Sequence, residues 1–149
     1  MSRARAGVTL AAAGMVVAGA CGGGGGGAGG SEADAARTVE VKMVDIAFEP
    51  DRLEAKAGET VEFVFTNTGM AEHEAVLGDA GVHEREERVG GHSGGHAGHG
   101  SDGVPRVVLD PGKEGKLTYT FNEPGEVFIG CHISTHWKAG MKVAITVGE

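Results

Sequence analysis

The sequence predicts an all-β sandwich of seven to eight strands. Three observations point that way. Short segments rich in Val, Ile, Thr and Phe recur between residues 38 and 147, several with apolar and polar side chains in strict alternation. Turn residues separate them at sandwich-like spacing, as in Ala57-Gly58-Glu59, Asn67-Thr68-Gly69, Asp110-Pro111-Gly112 and Glu123-Pro124-Gly125. No segment has the three-to-four-residue apolar period of a long amphipathic helix.

Taken in order, Val39, Val41 and Met43 alternate with Glu40 and Lys42, which reads as a half-buried strand. Residues 53–57 form a second short strand. In residues 60–66, Val61, Phe63 and Phe65 share one face, opposite Glu62 and Val64. Residues 72–77 carry His73 into a further strand, with Ala75 and Leu77 on its side. Residues 80–103 interrupt the pattern. Residues 82–89 can form one or two helical turns, with Glu84 and Arg88 at i,i+4. Strands resume at 104–109, 116–121, 127–131 and 142–147, with Leu117, Tyr119 and Phe121 on one side of their segment.

The 149 residues fit one domain, and the net charge of −8 argues against a nucleic-acid partner. Glycine is concentrated at residues 22–30 and 90–103, neither of which can pack a core. Arg3, Arg5 and the apolar run 7–20 read as an export signal too short to span a bilayer comfortably. Ala18-Gly19-Ala20-Cys21 resembles the lipobox of bacterial lipoproteins, which would make Cys21 the lipidated first residue and a membrane anchor. Plain secretory cleavage after Ala20 is the alternative. Arg3 and Arg5 are not adjacent, so a twin-arginine signal is absent. Residues 22–37 then form a flexible tether, and residues 38–149 the globular domain.

The most informative stretch is residues 130–141. Cys131, His136 and Met141 are spaced Cys-x4-His-x4-Met between two strand-like runs, so a loop folding back on itself can bring the three side chains together. Thiolate, imidazole and thioether suit copper, and two His with one Cys and a weak Met is the donor set of an electron-transfer copper centre. His73 is the best upstream source of the second imidazole. Cysteine usage agrees: with Cys21 at the processing site, Cys131 has no disulfide partner, and a metal would protect the lone thiol in an oxidising compartment.

This pattern resembles the ligand loop of the cupredoxins, the plastocyanin and azurin family of blue copper proteins, over roughly residues 38–149. The resemblance implies a Greek-key sandwich, one type 1 copper on His73, Cys131, His136 and Met141, and single-electron transfer to a redox partner protein by a monomer. It also implies an apolar patch near the second ligand His, to which Trp137, Ala139 and Gly140 would contribute. One departure stands out. The first ligand His is often followed by an Asn that ties the two ligand segments together, and here Glu74 follows.

His92, His96 and His99, spaced by Gly and small residues, could form a labile secondary metal site or be an incidental polar insertion. They favour a second function, copper capture, buffering or delivery. His83 reads as a surface residue and His132 as solvent-facing beside the loop. Trp137 would shield the metal. The sequence argues strongly against a multicopper oxidase, because Gly130 stands where a His-Cys-His triplet needs its first His. A Cys131–His136 nucleophile would leave His73 and Met141 without a role. The expectation is therefore a binding and redox protein, not an enzyme.

Overall fold

The computed structural model describes residues 36–89, the backbone of 98–99, and residues 103–149. The export signal, Cys21, most of the tether, His92 and His96 lie outside the described residues, as does the side chain of His99. All described residues belong to one compact unit, Ser31–Glu149.

Within it, the strands are β1 (Arg37–Val44), β2 (Ala47–Glu49), β3 (Arg52–Lys56), β4 (Thr60–Asn67), β5 (His73–Gly78), β6 (Gly98–His99), β7 (Pro105–Leu109), β8 (Glu114–Thr120), β9 (Gly125–Gly130) and β10 (Lys142–Gly148). One helix, α1 (Ala80–Val89), follows β5. Eight of the strands have five or more residues, as the alternation predicts; β2 and β6 are short edge pairings.

The strands form two sheets, ordered β2-β1-β4-β8 and β3-β10-β9-β5-β7-β6, in a Greek-key sandwich. Alternation explains the sides. In β4, Val61, Phe63 and Phe65 are buried, and they meet Phe121 and the inward residues of β10, Val143, Ile145 and Val147. Phe63 stacks near Phe65 and meets Phe121 edge-on, with centroids 6.1 and 6.5 Å apart. β5 differs, with all six residues buried, because α1 and its connections cover the face that a simple sandwich would leave to water.

The register places the site. β5 pairs antiparallel with β9 through Val76↔Gly130 and Leu77↔Ile129. Continuing that register past the end of β9 sets Glu74 and His73 alongside the residues that follow Gly130. β9 and β10 pair from Gly125 to Gly130, with Lys142 opposite Gly130, so residues 131–141 form the loop that joins them at this end.

Candidate metal centre

Three side chains named from the sequence converge. His73, Cys131 and His136 offer donor atoms that all lie within 4.8 Å of one another. Cys131 Sγ is 4.0 Å from His73 Nδ1 and 3.4 Å from His136 Nδ1. His73 and Cys131 are fully buried, and His136 is partly exposed. Met141, also fully buried, is tied in through its backbone: its N–H donates to His136 O at 2.9 Å, and its carbonyl accepts from Cys131 N–H at 3.2 Å. The loop between is a run of tight turns, with His136 N–H on Ile133 O and Ala139 N–H on Thr135 O, closed by Gly140 in a left-handed conformation.

His73 is delivered by a built turn. Asn67 is completely buried, and its side chain bonds both within the turn and to β7. Nδ2 donates to Ala71 O and Leu109 O, each at 2.8 Å, and Oδ1 accepts Gly69 N–H at 2.9 Å. Asp45 Oδ1 accepts Met70 N–H at 2.7 Å. The same oxygen faces His73 Nε2 at 3.9 Å, beyond hydrogen-bond distance. The ring therefore turns Nδ1 to the thiol while Nε2 faces this carboxylate.

Glu74, the departure at the position after His73, has a definite place in the structure. Glu74 is fully buried, and its Oε1 accepts the His132 N–H at 2.9 Å, tying the segment of the first His to the residue after the cysteine. A carboxylate thus makes the cross-link that an Asn makes elsewhere in the resemblance.

Two expectations need correction. His83 and His132 are not surface residues; each is only 1% exposed. α1 packs on β5 and β9 and turns His83 inward, and the His83 and His132 rings pair with each other instead of with water. His83 Nδ1 and His132 Nε2 are 2.8 Å apart, and His132 Nδ1 is 3.1 Å from Glu87 Oε1. Trp137 is half-buried, with its ring parallel to His83 at 4.4 Å and 2° and stacked on His132 at 5.0 Å. Gly130 is required here, because a Cβ on it would lie 2.6 Å from the Trp137 ring and 2.9 Å from His83 Cε1. The absence of a side chain at Gly130 is what admits this stack.

The electrostatics follow from burial. Desolvation pushes the Cys131 thiol up to about 11, although the N–H groups of Glu74 and Ile133 point at the sulfur and pull the other way. Without a metal the thiol is protonated at neutral pH, so binding must release that proton. His73 is pushed below the usual imidazole value, first by burial and then by His136. It is neutral at pH 7, the form that ligates.

These residues fit a copper ion. The donor set is one thiol and two imidazoles. First-row metal bonds of roughly 2.0–2.3 Å would set three trigonal donors roughly 3.5–3.9 Å apart, which the two sulfur–nitrogen distances bracket.

His83 also gives a pH prediction. Burial, reinforced by His132, lowers its value from 6.5 to about 4. The folded state therefore binds this proton less readily than the unfolded chain. Its contribution is fully present above pH 6.5 and is lost as pH falls toward 4. The metal-free protein should lose about 3 kcal/mol over that window, read as a falling urea midpoint. His83→Phe should flatten the loss.

The sequence matches the description "Cupredoxin-like domain" over residues 11–93, more than half of the chain. It is 35% identical over 141 residues to the copper-resistant cuproprotein CopI of Pseudomonas aeruginosa, covering 77% of this chain and 78% of that one. CopI of Rubrivivax gelatinosus is 35% identical over 119 residues, covering 77% and 68%. Among solved structures, dithionite-reduced auracyanin from Roseiflexus castenholzii superimposes with a TM-score of 0.65 at 22% identity, over 77% of this chain and 99% of that one. Auracyanin A of Chloroflexus aurantiacus, a "blue" copper protein, gives 0.59 at 19% identity, over 76% and 99%. The auracyanins share the fold, and the CopI relatives share the sequence: the chain belongs to the cupredoxin-like family.

Proposed function

We propose that this protein carries single electrons through one copper ion, which His73, Cys131 and His136 would hold, with Met141 as a weak further donor. The observation that carries the reading is the convergence of one thiol and two imidazoles, with His73 and Cys131 buried. A bound copper supplies a one-electron Cu(II)/Cu(I) couple. The chain supplies the rest. β5 fixes one imidazole, the closed 131–141 loop fixes the thiolate and the other, and burial keeps water from the thiolate. A donor cage fixed by the fold changes little between oxidation states, which favours fast transfer. The partly exposed edge of His136 is the nearest route to a redox partner.

An enzymatic role for the thiol has no support. A nucleophilic cysteine is activated by a depressed value, and Cys131 is raised and enclosed. We further propose export, with anchoring to the outer face of the membrane by lipidated Cys21 and a redox partner met there. Among the described residues no helix is long and apolar enough to cross a membrane.

Copper handling is the second reading. The CopI relatives are named for copper resistance, and residues 92–99 contain three His. Deleting residues 90–100 separates the two readings. Electron transfer predicts that the deleted protein still loads its site in competition with a chelator, as fast as wild type. If loading fails, the segment is a feeder and capture or delivery becomes the better account.

A further inference from the structure

We propose that His83 is a positioning residue for the copper loop: from α1 it holds His132 and Trp137, the residues that directly follow the ligands Cys131 and His136. The proposal rests on the copper reading of the site, and its observations are geometric.

α1 is itself fixed. Asp79 Oδ1 caps it by accepting Val82 N–H at 2.9 Å. In the middle of the helix, Glu86 meets Arg106 of β7 through two 3.2 Å contacts, both side chains buried. His83 projects from this anchored helix with every part of its ring engaged. One face lies flat on Trp137, Nδ1 meets His132 Nε2, and Nε2 meets Phe128 O at 3.2 Å. The same helix reaches His132 a second time through Glu87.

The consequence concerns the ligands. Cys131 and His136 lie in a loop whose own hydrogen bonds are all short-range turns, apart from the Cys131–Met141 closure. Their immediate neighbours, however, are stacked on each other and on a ring carried by another element. With the Glu74 bond to His132 N–H, the cysteine side of the loop is held from both β5 and α1. Removing His83 would take away the ring that joins both to α1, leaving Trp137 its edge contact with Phe128 and the Lys142 ammonium over its face, and His132 its bond to Glu87. The Cys131 and His136 donors could then relax independently. Outer residues of this kind commonly shift metal affinity about 10–100-fold.

Three variants separate the bond from the stack. His83→Phe keeps a ring against Trp137, His83→Gln keeps a polar partner for His132, and His83→Ala removes both. In the full chain loaded with Cu(II), His83→Ala should alter the intensity ratio of the thiolate-to-copper bands and release copper to a chelator at least about 10-fold faster. His83→Phe and His83→Gln should fall between Ala and wild type. A metal-free readout accompanies these: in a Cys21→Ser background, the aromatic-disulfide reagent DTNB should reach Cys131 about 10-fold faster in His83→Ala under conditions where the protein stays folded. If Ala does not fold, the Phe and Gln variants decide. The proposal is overturned if all variants that fold keep the wild-type bands, release rate and thiol rate within twofold and lose only stability. If wild type itself forms no thiolate–copper complex, the copper reading fails, and the DTNB rates still decide whether His83 positions the loop.

Discussion

Replacing Cys131 by Ser is expected to abolish the intense visible absorption of the Cu(II)-loaded protein. The colour would come from charge transfer between the Cys131 sulfur and Cu(II), and no second described thiol is available to replace it. A hydroxyl is hard, weakly acidic and neutral at the pH where the thiol yields its proton to the metal. The visible extinction should fall more than ~10-fold even if some Cu(II) remains on the two imidazoles. The measurement is an absorption titration of metal-free wild type and variant. Met141→Leu should behave differently. It leaves sulfur, both imidazoles and the loop closure in place, because that closure runs through the Met141 backbone. The colour should persist while the reduction potential shifts. Wild-type colour in Cys131→Ser would place the copper elsewhere.

The largest stability effect is expected at Glu86. Its carboxylate and the Arg106 guanidinium are 1% and 5% exposed and meet in two parallel contacts. Glu86→Ala leaves a guanidinium enclosed between α1 and β7 without this partner, and should cost about 3–5 kcal/mol in denaturant unfolding. The source of that number is the loss of a buried carboxylate that pairs twice with the guanidinium, not the sum of charges. Glu86→Leu combined with Arg106→Met should recover most of the loss, since an apolar pair of similar volume needs no desolvation. A single-variant cost below about 1 kcal/mol would mean that water reaches the pair. Because the pair anchors the helix that carries His83, the Glu86→Ala spectrum should also drift toward that of His83→Ala.

The sequence makes some of this visible and hides the rest for physical reasons. Alternation in residues 60–66 marks β4 because one of its faces is apolar and the other is wet. The spacing of Cys131, His136 and Met141 marks the loop because metal donors must be soft and close in space, and a short loop achieves both. His73 is legible through the turn that precedes it. The α1 face is not. Its buried residues are His83 and Glu86, both polar, so hydrophobic periodicity carries no signal there. Each is satisfied by a residue far away in sequence, His132 or Arg106. Glu74 misleads in the same way, since its bond to His132 N–H joins residues 58 apart that no local pattern connects. The parallel pairings of β1 with β4 and of β3 with β10 join segments whose partners no local pattern names.

Electron self-exchange tests the central claim most directly. Mixtures of the fully loaded Cu(I) and Cu(II) forms at millimolar protein would be followed by proton NMR. A cage fixed by β5 and the closed loop predicts rapid exchange, seen as progressive broadening of the Cu(I)-form resonances as the Cu(II) fraction rises. Sharp Cu(I)-form lines that merely lose intensity, with the site shown to be full, would mean slow exchange and would contradict electron transfer as the function.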